Sequence, residues 1–180
     1  DRLNMTHLAM NASQYVNGVA KRHAEVSREM FPGRNIDAVT NGVHSRTWTA
    51  DSFKVLYNRH IPGWSNDPSA LRSAAGIPKE AIWAAHVQAK DHLADEIQRR
   101  TGTVLDRNAF TIGFARRATA YKRADLVFRD LEHLTAIAQE LGPIQFVFAG
   151  KAHPRDDSGK DMIRRVFAAA ERLPNRVQVI

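Results

Sequence analysis

With 180 residues, 43% of them hydrophobic, the chain is long enough for a globular domain of ordinary size and too apolar to be disordered. It has no cysteine, which excludes disulfides and thiolate–metal sites and fits a reducing compartment. A net charge of +7, from 26 Lys and Arg against 19 Asp and Glu, admits three kinds of partner: nucleic acid, an anionic surface or a phosphate-bearing ligand.

Many of these cations stand beside acids, as in Arg129-Asp130 and Lys160-Asp161, where a solvated surface accounts for them. No run of 18 apolar residues is long enough for a membrane span. Asp1-Arg2-Leu3-Asn4 does not open a signal peptide. The chain does not begin with Met, and it ends on Arg176-Val177-Gln178-Val179-Ile180, an alternating run with no turn after it. An interior fragment of a longer protein is therefore expected.

In chain order, Asn4 to Met10 reads equally as strand or helix. Asn17-Gly18 reads as a breaker and the start of a helix over Val19 to Met30, which Phe31-Pro32-Gly33 ends. Ile36 to Thr40 is a short β-like run closed by Asn41-Gly42. A short helix is expected over Ala50 to Asn58, then a loop at Ile61-Pro62-Gly63-Trp64. Asp67-Pro68 has the form of an N-cap with proline at the first helical position, and Pro78 to Arg99 has helical spacing. Phe110 to Ala115 is an apolar run expected as a buried strand. Lys122 to Leu141 places Val127, Leu131, Leu134, Ala138 and Leu141 on one helical face. Ile144 to Ala149 is a second apolar run, Lys160 to Leu173 a second helical period, and Arg176 to Ile180 a third strand. This β-α-β-α-β order predicts an α/β fold with a doubly wound, Rossmann-like parallel sheet and extra helices before it. Ligands of such sheets bind beyond the carboxyl ends of the strands.

Three segments could carry chemistry. Arg116-Arg117-Ala118-Thr119-Ala120-Tyr121-Lys122-Arg123 follows the first of these strands and places four cations in eight residues. Free N–H groups and the positive end of a following helix would favour an anion there. Arginine adds a planar fork and lysine a mobile point charge. A basic helix cap in solvent is the plain alternative. A nucleic-acid patch has only Tyr121 to stack a base. Gly150-Lys151-Ala152-His153-Pro154 follows the second strand, with glycine allowing close backbone approach and Lys151 adding a cation, but it lacks P-loop spacing and taken alone reads as a plain loop. Val39-Thr40-Asn41-Gly42-Val43-His44 offers the Asn41 amide to a sugar hydroxyl, or is simply an Asn-Gly turn. The eight histidines show no HExxH, and neither His7 with His23 nor His86 with His92 has ligand-like spacing, so no metal is expected. No G-x-S-x-G elbow is present.

Taken together, these segments resemble a known family. Asn4-Met5-Thr6-His7-Leu8 and Val16-Asn17-Gly18-Val19-Ala20-Lys21 with His23 are similar to a stretch shared by glycogen, starch and maltodextrin phosphorylases. Thr40-Asn41-Gly42-Val43-His44 with Trp48 is similar to a second block, Gly113-Phe114-Ala115-Arg116-Arg117 through Arg123 to a third, and Phe148-Ala149-Gly150-Lys151-Ala152-His153-Pro154 to a fourth. The chain resembles the shorter bacterial and archaeal branch of the α-glucan phosphorylases; between Ala50 and Asn108 the likeness is weak.

The resemblance implies a hexosyltransferase that uses pyridoxal phosphate and inorganic phosphate to cleave α-1,4-glucans to glucose 1-phosphate. It implies a two-domain glycosyltransferase-B type fold: residues 1–41 closing the first Rossmann-like domain, 42–109 a helical connection, and 110–180 opening the second, cofactor-binding domain. Arg117 resembles the arginine that holds the substrate phosphate. Lys122 resembles the lysine between the substrate and cofactor phosphates. Arg116 stands where many members carry a lysine touching the cofactor phosphate, and Tyr121 resembles a tyrosine beside the glucosyl group and cofactor. Asn41 resembles an asparagine binding the sugar 6-hydroxyl, and Val19 a valine lining that pocket. The lysine that bears the cofactor belongs to a block this chain lacks, so the chain alone is expected to be inactive. Animal members carry a tyrosine that helps stack purine inhibitors where this chain reads Pro154-Arg155-Asp156, so purine inhibition is not implied. A cytoplasmic protein is expected, with no nucleic acid or membrane partner, and an oligomer remains open. A nucleotide-sugar glycosyltransferase, or a non-catalytic anion- or nucleic-acid-binding module, is the competing reading.

Overall fold

The computed structural model describes residues 3–180; Asp1 and Arg2, read above for a leader sequence, lie outside them. The chain divides into two compact units, Asp1–Pro78 and Lys79–Ile180.

In the first unit, helix α1 (Met5–Ala12) starts where the Asn4 side chain accepts from the backbone N–H of Thr6 and His7. This N-cap decides an element that periodicity left ambiguous. Asn17-Gly18 does not begin a helix. It forms strand β1, parallel to β2 (Asp37–Ala38), and helix α2 (Lys21–Met30) makes the crossover. The strand is required because Val16 and Gly18 carbonyls accept from Asp37 and Val39 N–H at 3.0 and 2.9 Å. Ala24 of α2 and Ile36 are buried against this small βαβ unit. After α3 (Ser45–Trp48) and α4 (Asp51–His60), Trp64 is almost wholly buried, with its indole N–H on Asn58 Oδ1 at 2.9 Å. Asp67 does cap the next element, through Ser69 N–H, but that element is a 3₁₀ helix, Pro68–Gly76.

The second unit opens with α5 (Lys79–Thr101) and contains a three-stranded parallel sheet in the order β3 (Phe110–Ala115), β4 (Ile144–Ala149), β5 (Val177–Val179). Phe110 pairs with Ile144 and Ala115 with Ala149, so the two carboxyl ends are level and on one side, as expected from the sequence. Alternation along β4 divides the core. Ile144, Phe146 and Phe148 face α6 (Leu131–Leu141) and α7 (Asp157–Ala170), packing with Leu134, Ala138, Val166 and Ala169. Val147 faces the opposite way, among Ala94, Ile97 and Leu105. Helices thus cover both faces. Gln145 is buried on the α5 side and clamps the approach to β3. Its Oε1 accepts from Asp106 N–H at 2.7 Å, and its Nε2 donates to Asp106 O at 2.9 Å and Thr111 Oγ1 at 3.0 Å.

Two expectations are corrected here. Strand β3 is not buried: it pairs on one side only among the described residues, and Phe110 is 68% exposed. Nor is 122–141 one helix. A 3₁₀ turn (Ala120–Lys122) ends at Arg123 in the left-handed region (φ 52°), a second (Leu126–Phe128) follows, and α6 begins only at Leu131. Asp130 starts it by accepting from His133 N–H at 2.8 Å, and the Ala124 N–H upstream is taken by Met162 Sδ at 3.3 Å. Tertiary and cap contacts outcompete helix propagation there. The apolar face is real over Leu131, Leu134 and Ala138, whereas Leu141 is exposed.

Candidate functional site

The basic segment is the loop that leaves β3. Its backbone is wedged between the exit of β4 and the first turn of α7. Ala118 N–H donates to Lys151 O at 3.1 Å. A methyl group on Gly150 would overlap the Arg116 carbonyl oxygen, so only glycine lets the two strand exits approach this closely. Ala118 is buried with Ala124 and Met162, between Phe114, Phe148 and Ile163. The helix whose N-terminus borders the loop is therefore α7, not the α6 that follows it in sequence. Asp156 caps α7, accepting from Gly159 N–H at 2.9 Å and Ser158 Oγ at 2.8 Å. Those bonds, the Gly159 one foremost, hold its carboxyl below the usual carboxylate range.

The cations on this loop lack the acidic partners that several others in the chain have. Elsewhere, Arg22 pairs with Glu25, Arg99 and Arg100 with Glu96, Arg107 with Asp91 and Asp95, Lys160 with Asp157, and Arg165 with Asp125. Among the described residues, the side chains of Arg116, Arg117, Lys122, Arg123 and Lys151 make no hydrogen bond or ion pair with protein. Lys122 is half-buried, its Nζ 4.7 Å from the centroid of the Tyr121 ring, a cation–π contact that steers the ammonium group. Thr119 Oγ1 is buried without a partner in the same loop.

The loop separates two hollows that share Phe114, Ala124 and Phe148 as walls. Arg116 and Gly150 line one, an apolar cleft of about 240 Å³ reaching α7. Lys122 and Arg123 line the other, of about 350 Å³, beside Ile112 and Leu126. Arg117 lines neither and is exposed. The predicted residues Arg116, Arg117, Tyr121 and Lys122 thus share one loop without converging on one cavity in this unit. The other two predicted residues lie together in the first unit, where Asn41 N–H donates to Val19 O at 3.2 Å and both side chains are exposed.

Comparison with known proteins decides what kind of chain this is. A sequence model described as carbohydrate phosphorylase matches residues 1–179. The chain belongs to the carbohydrate phosphorylase family. It is 36% identical to a maltodextrin phosphorylase of Thermococcus litoralis over 99% of this chain and 25% of that protein. It is 36% identical to a glycogen phosphorylase of Aquifex aeolicus over 93% of the chain and 28% of that protein, and 32% identical to one of Mycobacterium tuberculosis over 95% and 23%. The chain spans about a quarter of the length of these relatives.

What sequence reading of this phosphorylase chain missed is the supporting row on α7: Asp156, Gly159 and Met162. The signal available was a glycine three residues after an aspartate at the head of a helical period. Among the described residues no group of three or more His, Asp or Glu could hold a metal, and no helix is long and apolar enough to cross a membrane.

Proposed function

We propose that this chain is the phosphate-handling portion of an α-glucan phosphorylase. The parent enzyme transfers a glucosyl unit from an α-1,4-glucan to inorganic phosphate, giving glucose 1-phosphate. The observation that supports this reading is the row of unpaired cations at the level carboxyl ends of β3 and β4, in a chain whose acids neutralise many of its other cations. Like charges gathered on one loop repel one another, and an anion among them offsets that repulsion.

In the reaction, the glycosidic C1–O bond breaks, a C1–O bond to phosphate forms, and the leaving glucan oxygen takes a proton. Arg117 holds the substrate phosphate through a forked, charge-assisted contact. Lys122, steered by the Tyr121 ring, neutralises charge between two phosphates. Pyridoxal phosphate, when bound in the parent enzyme, would supply the second phosphate, a group able to exchange a proton, and Arg116, Tyr121 and Lys122 are the residues that would hold it. The residues present suit its phosphate group: the side chains of Arg116 and Lys151 are unpaired, and Gly150 lets the two strand exits that carry them come close together. Asn41 contacts the sugar 6-hydroxyl, and Val19 lines the same pocket.

This reading carries the remaining assignments with it. Residues 1–41 close a first Rossmann-like domain, 42–109 connect, and 110–180 open a second in a glycosyltransferase-B type architecture. The parent is a cytoplasmic enzyme.

The test is Arg117→Ala in the full-length parent, with phosphate and glucan varied separately. A charge-assisted contact is worth about 1.5–3 kcal/mol, so phosphate use weakens roughly ten- to a hundred-fold while the glucan KM changes little. An unchanged phosphate dependence in a folded variant makes the loop a solvated helix cap and refutes the proposal.

A further inference from the structure

The basic loop has no regular ladder to hold it, yet it carries the cations that must be placed accurately. Its supports come from one face of α7. Gly159, Met162 and Arg165 stand three residues apart, a single row along the helix. Gly159 lies under the loop at Ala118: a methyl there would overlap the Ala118 carbonyl oxygen and sit 3.2 Å from its carbon and 3.0 Å from Asp156 Oδ2. Met162, almost wholly buried, packs with Ala118 and Ala124 on the two arms of the loop, and its Sδ accepts from Ala124 N–H at 3.3 Å. Arg165 Nε donates to Asp125 Oδ2 at 2.7 Å, just beyond the loop.

We propose that this row of α7 is the positioning element of the phosphate loop, and that Gly159 sets the height at which Arg117 and Lys122 are held. The proposal rests on the phosphate reading of the loop and extends it to residues that touch no ligand. Glycine within a helix weakens it relative to alanine. Here the small residue has a use: it lets a carbonyl of the loop rest on the helix backbone. Any side chain at 159 pushes Ala118 outward. Arg117 lies on one side of Ala118 and Thr119 on the other, with Lys122 N–H bonded to Thr119 O at 2.9 Å, so both cations move.

The sign of one substitution separates this role from a helical one. If residue 159 matters only to the helix, Gly159→Ala stabilises α7 and leaves phosphate use unchanged. If it seats the loop, the displacement raises the phosphate KM of the full-length enzyme roughly ten- to a hundred-fold, the range expected of a misplacement near 1 Å, with the glucan KM unchanged. A second readout needs no turnover. In this 180-residue chain without ligand, the amide resonances of Ala118 to Lys122 shift in Gly159→Ala.

Met162→Ala and Met162→Leu repeat the test should Gly159→Ala fail to fold: alanine weakens phosphate use and leucine, which refills the volume, restores most of it. Unshifted loop amides, or equal effects on the phosphate and glucan KM values, overturn the positioning role. Arg117→Ala, run alongside, judges the underlying reading. If it loses phosphate use while Gly159→Ala and Met162→Ala do not, the phosphate site stands and the α7 seat falls. If Arg117→Ala changes nothing, the phosphate reading falls, and the proposed role of α7 in holding phosphate ligands falls with it.

Discussion

Gln145 is the point where the second unit's fold can be tested most sharply. It is buried in the middle strand and makes three hydrogen bonds to the segment that enters β3, two with the Asp106 backbone and one with Thr111 Oγ1. Gln145→Ala removes all three and leaves a hollow. Each bond contributes about 0.5–1.5 kcal/mol net. Asp106 is exposed, so water can recover its backbone groups, and the total loss is about 2–4 kcal/mol including the cavity. Gln145→Leu keeps the volume and isolates the hydrogen-bonded part. Gln145→Glu is the discriminating change. At neutral pH it sets a buried carboxylate against the Asp106 carbonyl, where the amide had donated. Burial raises the pKa of such a group above its unfolded value of about 4.3, so the variant is least stable above the folded pKa and recovers as pH falls through it. Urea unfolding at pH 7 and at pH 5, with hydrogen exchange of the β3 amides, measures both effects. A Gln145→Ala loss under about 0.5 kcal/mol, the range of an ordinary surface change, refutes the clamp. So does a Gln145→Glu variant indifferent to pH.

Two further outcomes are expected. The isolated chain, about a quarter of its relatives' length, releases no glucose 1-phosphate from maltodextrin and phosphate with added pyridoxal phosphate; product above a no-protein control contradicts this. The Asp156 cap of α7 is present above the unfolded carboxylate pKa of about 3.9 and is lost as pH falls through the lower folded value, because its bonds favour the charged form. Protection of the amides in the first turn of α7, taken relative to the intrinsic exchange rate at each pH, therefore falls on acidification, and Asp156→Asn reduces that dependence; identical profiles in both proteins count against the cap.

Much of this molecule was legible in the chain. The apolar runs at 110–115 and 144–149 are strands with those bounds, and their parallel pairing follows from the helical periods between them. The four segments similar to phosphorylases pointed to the family. Local competition was harder to read. Asn17-Gly18 looks like a breaker, yet it pairs with Asp37-Ala38, because a strand of two residues has no periodicity of its own. The helical face beginning at Val127 is continuous on paper, yet Asp130 caps a helix inside it.

The sequence by itself determined the α/β class, the parallel order of the strands and the position of the basic segment after the first of them. These follow from spacing along the chain, which records which face of each element is apolar. Only the tertiary structure decided that β3 lies at an edge among the described residues, that α7 rather than α6 borders the basic loop, and that Gly159 and Met162 support it. Contacts such as Ala124 N–H to Met162 Sδ join residues 38 apart, and no local period encodes them. They arise from packing, when the core formed by Phe146, Phe148 and Val166 draws α7 onto the sheet and brings its first turn beneath the loop.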